Sequence, residues 1–450
     1  MTSNRVAPNG RIQHDDAVRR EMSDLLGLST QIIDEGRTDE LTNRVTQQLS
    51  EVADGIAVVE SFGHCVAFRT DSDLLVFDTS NPAAGPRVVE ALRGWSEEPV
   101  RTVVYTHGHL DHVGGSVAFV NDASARGFAR PSFVAHAAVL ERFARYRLTD
   151  GWNVAINRRQ FGPRRTVGLT ADSGPAGSRA RFLPDDVIAP DVVFENRLTL
   201  KAGGLDVELH HARGETDDHL WAWIPSRRAI ACGDFLIWNF PNAGNPQKVQ
   251  RFPGEWAAAL RQMAALEPDL LLPAHGLPIG GRDRIKMVLD DVATALEHLV
   301  EDVVARMNAG ETLDAILQAV SVPPHLLAKP YLRPLYDEPE FVVRNIWRLY
   351  GGWWDGNPAR LKPPGDAELA REVADLAGGS VALARRGEQV AREGNLRLAC
   401  QLVEWARAVG PDDAEVRAIA SEVYELRRSS ETSLMARGVF AAAKGTEEGP

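Results

Sequence analysis

Apolar positions recur along this chain in two rhythms, and the change between them divides it. Between about residues 51 and 283 they fall in short, β-branched or fully apolar runs at 56–60, 65–69, 74–77, 100–105, 205–209, 220–224 and 229–232. Runs of this length and composition predict strands. Asp78 ends one of them, Pro225-Ser226-Arg227 reads as the turn between the last two, and a helical stretch at 88–95 intervenes. Strands alternating with helices fit an α/β fold, a layered αββα sandwich. Beyond His275 the spacing changes. Ile285, Val288, Leu289, Val292, Leu296, Leu299 and Val303 follow the period of a helix, and no strand is predicted from about 284 onward. The stretch 382–423 reads as two or three repeat-like helical hairpins, punctuated around Gly394-Asn395 and Gly410-Pro411. Residues 1–50 read as a polar arm with one helix over 15–26, stopped by Gly27. The Gly-, Ser-, Ala- and Arg-rich stretch 166–181 reads as an inserted loop, and the last residues, from about 444, as a disordered tail. The expected organisation is therefore an arm (1–50), a catalytic sandwich (51–283) and an all-α domain (284–450).

Bulk properties narrow the partners. The formal net charge of −12 leaves no basic stripe to neutralise phosphates, which argues against a nucleic-acid partner. No apolar run approaches the length of a membrane span, and the opening MTSNRVAPNG lacks the apolar core of a secretory leader. Cys65, Cys232 and Cys400 are few, scattered and odd in number. They predict buried small side chains rather than a disulfide framework, and a cytoplasmic setting.

The densest chemistry lies in Thr106-His107-Gly108-His109-Leu110-Asp111-His112, directly after the run Val103-Val104-Tyr105. His107 and His109 are two apart, so on extended backbone they point the same way. Asp111 and His112 follow in a tight loop. Imidazole and carboxylate are the ligands that zinc and similar metals prefer, and four of them at this spacing can serve two ions. A structural zinc site would be closed and usually Cys-rich, and this run contains no Cys.

This run resembles the signature of the metallo-β-lactamase superfamily. The resemblance implies two Zn2+ per chain, a bridging hydroxide as nucleophile, and further ligands downstream. The loop His210-His211-Ala212-Arg213-Gly214-Glu215-Thr216-Asp217-Asp218-His219 is similar to the superfamily's HTPGHT loop, with Glu215 in the slot of its metal-binding His. Asp234, at the end of Ala231-Cys232-Gly233-Asp234, matches the acid shared by both metals, and His275, after Leu270-Leu271-Leu272-Pro273, the last ligand. By resemblance, His107, His109 and Glu215 hold one ion. Asp111, His112 and His275 hold the other, and Asp234 is shared, with Asp111 and Asp234 the catalytic carboxylates. His211 and His219 remain alternatives to Glu215, and His219 otherwise orients a ligand or carboxylate. His136 reads as structural, and His14, His64, His298 and His325 carry no signal.

Glutamate in the third-ligand slot resembles the alkyl sulfatase branch. So do Asn157-Arg158-Arg159 within 153–162, Met307-Asn308-Ala309-Gly310, and Tyr350-Gly351-Gly352-Trp353-Trp354-Asp355-Gly356-Asn357-Pro358. The last is similar to the GW(F/Y)DGNP motif of that family's helical dimerisation domain. The resemblance implies hydrolysis of an alkyl sulfate to alcohol and sulfate, a homodimer built through the helical domain, and Asn153, Arg158 and Arg159 near the sulfate. Gly108 stands where the family usually has Ser, the Asn-containing loop aligns with a shift of about one residue, and 235–251 diverges.

Charge accounting sharpens the demand on the rest of the site. Three carboxylates and one hydroxide cancel two divalent cations, so Glu215 in place of a histidine removes one unit of attraction for an anionic ester. Arg158, Arg159, Lys248 and Arg251 are the candidate cations, and arginine suits forked binding of sulfate oxygens. Trp152, Phe161, Phe235, Trp238 and Phe240 are candidates for an apolar slot, or else ordinary core aromatics. The competing reading is a hydrolase of another ester class, acting on a thioester, lactone or phosphoester.

Overall fold

The computed structural model describes residues 24–162 and 181–444. Among them, strands β1 (Leu49–Ala53), β2 (Ile56–Val59), β3 (Cys65–Arg69), β4 (Leu74–Phe77), β5 (Val100–Val104), β6 (Ser132–His136) and β7 (Val192–Phe194) form one sheet in that order. The second sheet runs β13 (Ile279–Gly280), β12 (Leu270–Pro273), β11 (Ala229–Gly233), β10 (Leu220–Ile224), β9 (Leu205–His211) and β8 (Arg197–Ala202).

The period of two in a strand explains how the layers assemble. In β3 and β4, Val66, Phe68, Leu75 and Phe77 join a core shared with the second sheet. Their neighbours Cys65, Ala67, Leu74 and Val76 join another core with Val88 and Leu92 of the helix Gly85–Trp95 and Phe143 of Ala138–Leu148. Both faces of the first sheet are covered, which is why β4 reads as an unbroken apolar run. The second sheet is covered outside by the helix Pro253–Ala265, through Trp256, Leu260 and Met263. The observed layering is the expected αββα sandwich.

The helix Arg282–Asn308 buries the predicted stripe from Ile285 to Val303 on the same core. The chain then stays helical through Pro339–Gly351, Asp366–Ala377, Ser380–Arg392, Leu396–Val409, Ala414–Ser430 and Leu434–Ala443. The predicted punctuation marks real caps. Asn395 accepts from the Leu398 N–H, and Asp413 accepts from the Glu415 and Val416 N–H groups.

Three sequence expectations change. The first described helix is Leu25–Glu35. Asp24 caps it by accepting from the Gly27 N–H, and it runs through Gly27 to end at left-handed Gly36. The rest of the expected helix, 15–23, lies outside the described residues, as do 166–180 of the expected loop and 445–450 of the tail. Of residues 153–162, expected as a loop, all but the capping Gly162 belong to a helix, Asp150–Phe161. Strands β1, β6, β7, β8 and β13 escaped the sequence pattern; all but β6, which is buried, are short or half exposed.

The C-terminal helix returns to the sandwich at one close crossing. A Cβ on Gly438 would lie 2.0 Å from the Gln160 carbonyl oxygen, so only glycine admits this approach. Gly438→Ala is expected to lose roughly 1–3 kcal/mol of stability, read by urea unfolding. An unchanged midpoint would show that the crossing is not tight in solution.

Candidate metal centre

β4 and β5 run parallel, and so do β11 and β12, so each pair delivers two strand ends to the same edge of its sheet. Asp78 follows β4, His107 and its neighbours follow β5, Asp234 follows β11 and His275 follows β12. Two backbone hydrogen bonds stitch the edges together, Leu220 N to Thr106 O (2.8 Å) and His64 N to Ala274 O (2.8 Å), and Ala274 N to Gly233 O (3.0 Å) ties the ends of β12 and β11. A single helical turn, Leu110–Val113, presents Asp111 and His112.

Two groups of donors result, His107, His109, Glu215 and Asp234, and Asp111, His112 and His275. Two ligands on one tetrahedral ion with bonds of about 2.0–2.1 Å stand roughly 3.3 Å apart. Around the second group, His275 Nε2 is 3.4 Å and His112 Nε2 3.7 Å from Asp111 Oδ2, and both are 3.5 Å from Asp234 Oδ2. In the first, His107 Nε2 is 2.8 Å from His109 Nδ1 and 3.8 Å from Asp234 Oδ2, and His109 Nδ1 is 3.7 Å from Glu215 Oε1. Asp234 Oδ2 is thus within reach of both groups. His112 Nε2 and Asp234 Oδ1 are buried with no hydrogen-bond partner, a costly state for polar atoms unless something else satisfies them. The donor set, its spacing and these orphaned atoms fit divalent metal ions.

Protons divide the cluster in the same way. Burial, then His112, His219 and His109, hold His107 well below the usual imidazole range, and burial with Arg142 and Arg251 does the same to His109. Burial also opposes charge on His275 and His112, but Asp234, Asp111 and, for His112, Asp78 outweigh it. His275 rises to about 10, and His112 lies well above its usual value. Burial works against the charge of Asp234 too, yet His275 and His112 keep it well below the carboxylate range.

Buried partners fix these donors. Asp78, with φ 60°, accepts from Thr106 N (2.7 Å), Thr106 Oγ1 (2.7 Å) and His112 Nδ1 (2.8 Å). Asp218 accepts from the Gly108 N–H (3.0 Å) and Arg142 Nε (2.6 Å), both side chains being buried. A Cβ on Gly108 would meet Arg142 at 2.8 Å and Asp218 at 2.9 Å, which explains glycine at this point of the motif. His219 Nε2 accepts from the Asp234 N–H (3.1 Å), and its ring lies 4.3 Å from that of His107.

Residues 58–275 match the metallo-beta-lactamase superfamily, and residues 312–449 match the alkyl sulfatase dimerisation family. The chain joins a metallo-beta-lactamase domain to an alkyl sulfatase dimerisation domain. It is 28% identical over 370 residues to a linear primary-alkylsulfatase of a Pseudomonas species, covering 78% of this chain and 67% of that one. It is 27% identical over 378 residues to a Pseudomonas (R)-specific secondary-alkylsulfatase, covering 79% and 55%. The chain therefore spans between about half and two thirds of the length of these relatives. The structure of the stereoselective inverting sec-alkylsulfatase Pisa1 from a Pseudomonas species superposes with a TM-score of 0.76 at 23% identity, over 87% of this chain and 64% of that one, and shows the shared fold.

Within this domain pair a cavity of about 720 Å³ opens beside the donors, lined by His109, Asp111, Glu215, Asp234 and His275. Arg251 lines it as expected, but its guanidinium is buried against Glu215, 2.6 Å from Oε1 and 2.9 Å from the Glu215 carbonyl. Lys248 lines it too, its pKa pushed down to about 8 by burial and Arg251. Arg158, Arg159 and Asn153 do not line it. Both arginines are exposed, Arg159 donates to Gln247 Oε1 (2.8 Å), and the Asn153 amide bonds to Thr149. Once 150–161 is a helix, the face that meets the cavity carries Asn157, Gln160 and Phe161 instead. Among the other expected aromatics, Trp152 is exposed, while Phe235, Trp238 and Phe240 are core. His211 stacks on His136 at 3.7 Å and bonds to the Asp217 carbonyl, apart from both donor groups. His64, given no role by the sequence, lines the cavity, with Nε2 2.9 Å from the Gly276 carbonyl.

Sequence reasoning also missed Asn242, Asn245 and Tyr336 in this wall. Asn153, Asn157 and Gln160 recur at i, i+4 and i+7, a polar stripe that could have announced a helix facing a polar cavity.

Because His275 holds its proton up to about pH 10 in the metal-free protein, a bound cation must displace it. Apparent Zn2+ affinity is expected to rise with pH from 6 to 8, about tenfold per unit for each proton displaced. Competition with a chromogenic chelator measures this, and a flat profile would contradict the proton assignment.

Proposed function

We propose that this protein hydrolyses alkyl sulfate esters to alcohol and sulfate at a binuclear zinc centre. In this reading His107, His109 and Glu215 hold one Zn2+, Asp111, His112 and His275 hold the other, and Asp234 is shared. Two zinc ions, when bound, would supply Lewis acidity and a water of lowered pKa. The protein's own groups do the rest. Asp111 and Asp234 orient the attacking water, Arg251 and Lys248 meet the anion, and Asn157, Asn242 and Asn245 offer amide donors beside them. His219 holds the backbone of Asp234 in place.

One observation carries this reading. A single cavity sets a cationic, amide-rich wall and an apolar wall, including Phe62, Phe161, Phe182 and Ile237, against the donor cluster. An anion bearing a hydrocarbon chain is the ligand that uses both. Arg251 also answers the charge deficit created by Glu215. Pinned to that carboxylate, it returns one positive charge to the centre while presenting itself to the cavity. The named activities of the alkylsulfatase relatives support the same substrate class.

The test is sulfate release by zinc-loaded protein from dodecyl sulfate and secondary alkyl sulfates, alongside a lactone, a glutathione thioester and a phosphoester. Release from the alkyl sulfates is expected, with KM raised roughly 10- to 100-fold in Lys248→Met, the value of one charge-assisted hydrogen bond. Turnover of only another ester would reassign the class.

The same reading places a boundary near residue 283 between the catalytic domain and a helical domain that forms a homodimer. Tyr350 and Trp353, 57% and 71% exposed within the Tyr350–Pro358 motif, support it, because clustered apolar surface calls for cover. No helix among the described residues is long and apolar enough to cross a membrane, and the three cysteines are unpaired. We take the cytoplasm as its location on the strength of those thiols. Light scattering at micromolar concentration should give the mass of a dimer, and a monomer would refute this assembly.

A further inference from the structure

We propose that the coil between the first described helix and β1 gauges substrate chain length, with Leu41 and Val45 contacting the distal methylenes of a linear alkyl ester. This rests on the reading above, that an anionic alkyl ester occupies the cavity.

The coil has no regular structure from residue 37 to 48, yet it is held in place by its polar side chains and backbone. The Arg333 guanidinium donates to the Thr38 carbonyl. Asn43 Nδ2 donates to the Ile237 carbonyl (3.3 Å), Arg44 pairs with buried Glu60 (3.0 Å), and Thr46 Oγ1 donates to Glu60 Oε2 (2.9 Å). Gln47 Nε2 donates to Ser61 Oγ (3.1 Å), and the Gln47 N–H donates to the Glu60 carbonyl. Five successive anchors of this kind define a strap rather than a loose arm.

Two side chains run against that pattern. Leu41 and Val45 are 73% and 54% exposed, and both line the cavity. Leu335 and Leu434 also line it while remaining 39% and 37% exposed. Four aliphatic side chains, from three distant stretches of chain, therefore meet water around one opening. Exposed singly such residues are ordinary, but converging on a cavity they form an apolar rim. Arg251 and Asn242 lie directly on the donor Glu215, whereas Glu40, Asn43 and Arg44 of the strap line the cavity beside Leu41 and Val45; an ester anchored by its anion at Arg251 directs its tail toward this rim. Each methylene taken out of water is worth roughly fourfold in affinity. A short chain ends inside the cavity, and a long one reaches the strap.

The test compares parent and Leu41→Ser/Val45→Ser protein, both zinc-loaded and checked for metal content and melting temperature. Hexyl and dodecyl sulfonate, used below micellar concentration, measure binding without cleavage, and the matching sulfates measure turnover. In the parent, dodecyl sulfonate should bind at least about tenfold tighter than hexyl. That ratio should fall severalfold in the double variant, as should the ratio of kcat/KM, and recover in Leu41→Met/Val45→Ile. A dodecyl-to-hexyl binding ratio within twofold of the parent would overturn the assignment. Sulfonate binding that follows the expected ratios, with no sulfate released from any ester, would instead overturn the hydrolytic reading and leave the strap in place.

Discussion

The structure depends on holding opposite charges together out of water. Asp234 and Asp78 are buried and Asp111 half-buried, within hydrogen-bonding or near-contact distance of His112 or His275, and none could be ionised there alone. Strand ends suit this task because each parallel pair leaves two backbone termini side by side at one edge of a sheet. The two edges are then joined by hydrogen bonds between the sheets, so the donors are placed by rigid elements rather than by loops. Without a cation the cluster balances itself with protons on His112 and His275. Those protons lie on the side of the cluster that Asp111 and Asp234 make most negative, which is also where a cation would gain most.

The rest of the molecule supports that arrangement from outside. Asn345, on the helix Pro339–Gly351, donates to the Arg251 carbonyl (2.9 Å) and accepts from the Arg251 N–H (3.2 Å). Asp337, just before that helix, accepts from the Gly244 N–H (2.7 Å). These contacts clamp the segment 241–251, which carries Asn242, Asn245, Lys248 and Arg251 into the cavity. The helical region also contributes Leu335, Tyr336 and Leu434 to the cavity wall. The polar wall of the cavity is therefore braced from the helical side, and the Gly438 crossing against Gln160 is part of the same junction.

What could be read from the sequence follows from how local each signal is. The β-branched runs, the stripe on Arg282–Asn308 and the donors after β5, β11 and β12 are local patterns, and their positions agree with the structure. Glu215 stands out by its slot in a loop, whereas its pairing with Arg251 joins positions thirty-six apart. The cavity wall failed for a different reason. Arg158 and Arg159 form a charged pair in the sequence, but charge beside a motif says nothing about which side of a helix it occupies. The helix Asp150–Phe161 has almost no apolar asymmetry to reveal it, because the face it buries is largely amide. Likewise nothing in 38–47 announces an ordered strap, since its order comes from partners in distant segments such as Arg333, Glu60 and Ile237.

This division of labour has a physical logic. Charge must be placed to within a few tenths of an ångström, because the interaction of buried ions changes steeply with distance and burial. Strand ends and buried pairs such as Asp218 with Arg142 provide that precision. Apolar recognition tolerates looser placement, because it scales with the area removed from water and has no preferred direction. It can therefore reside on a coil held only by side-chain anchors and on the ends of helices. Residues that select the hydrocarbon part of a ligand can then vary without disturbing the charges that act on its polar part. In this chain the two sets meet along one cavity wall, where Ile237 lies three positions beyond Asp234 and accepts the amide of Asn43 from the strap. That contact is one covalent and hydrogen-bonded path from the donor cluster to the apolar rim.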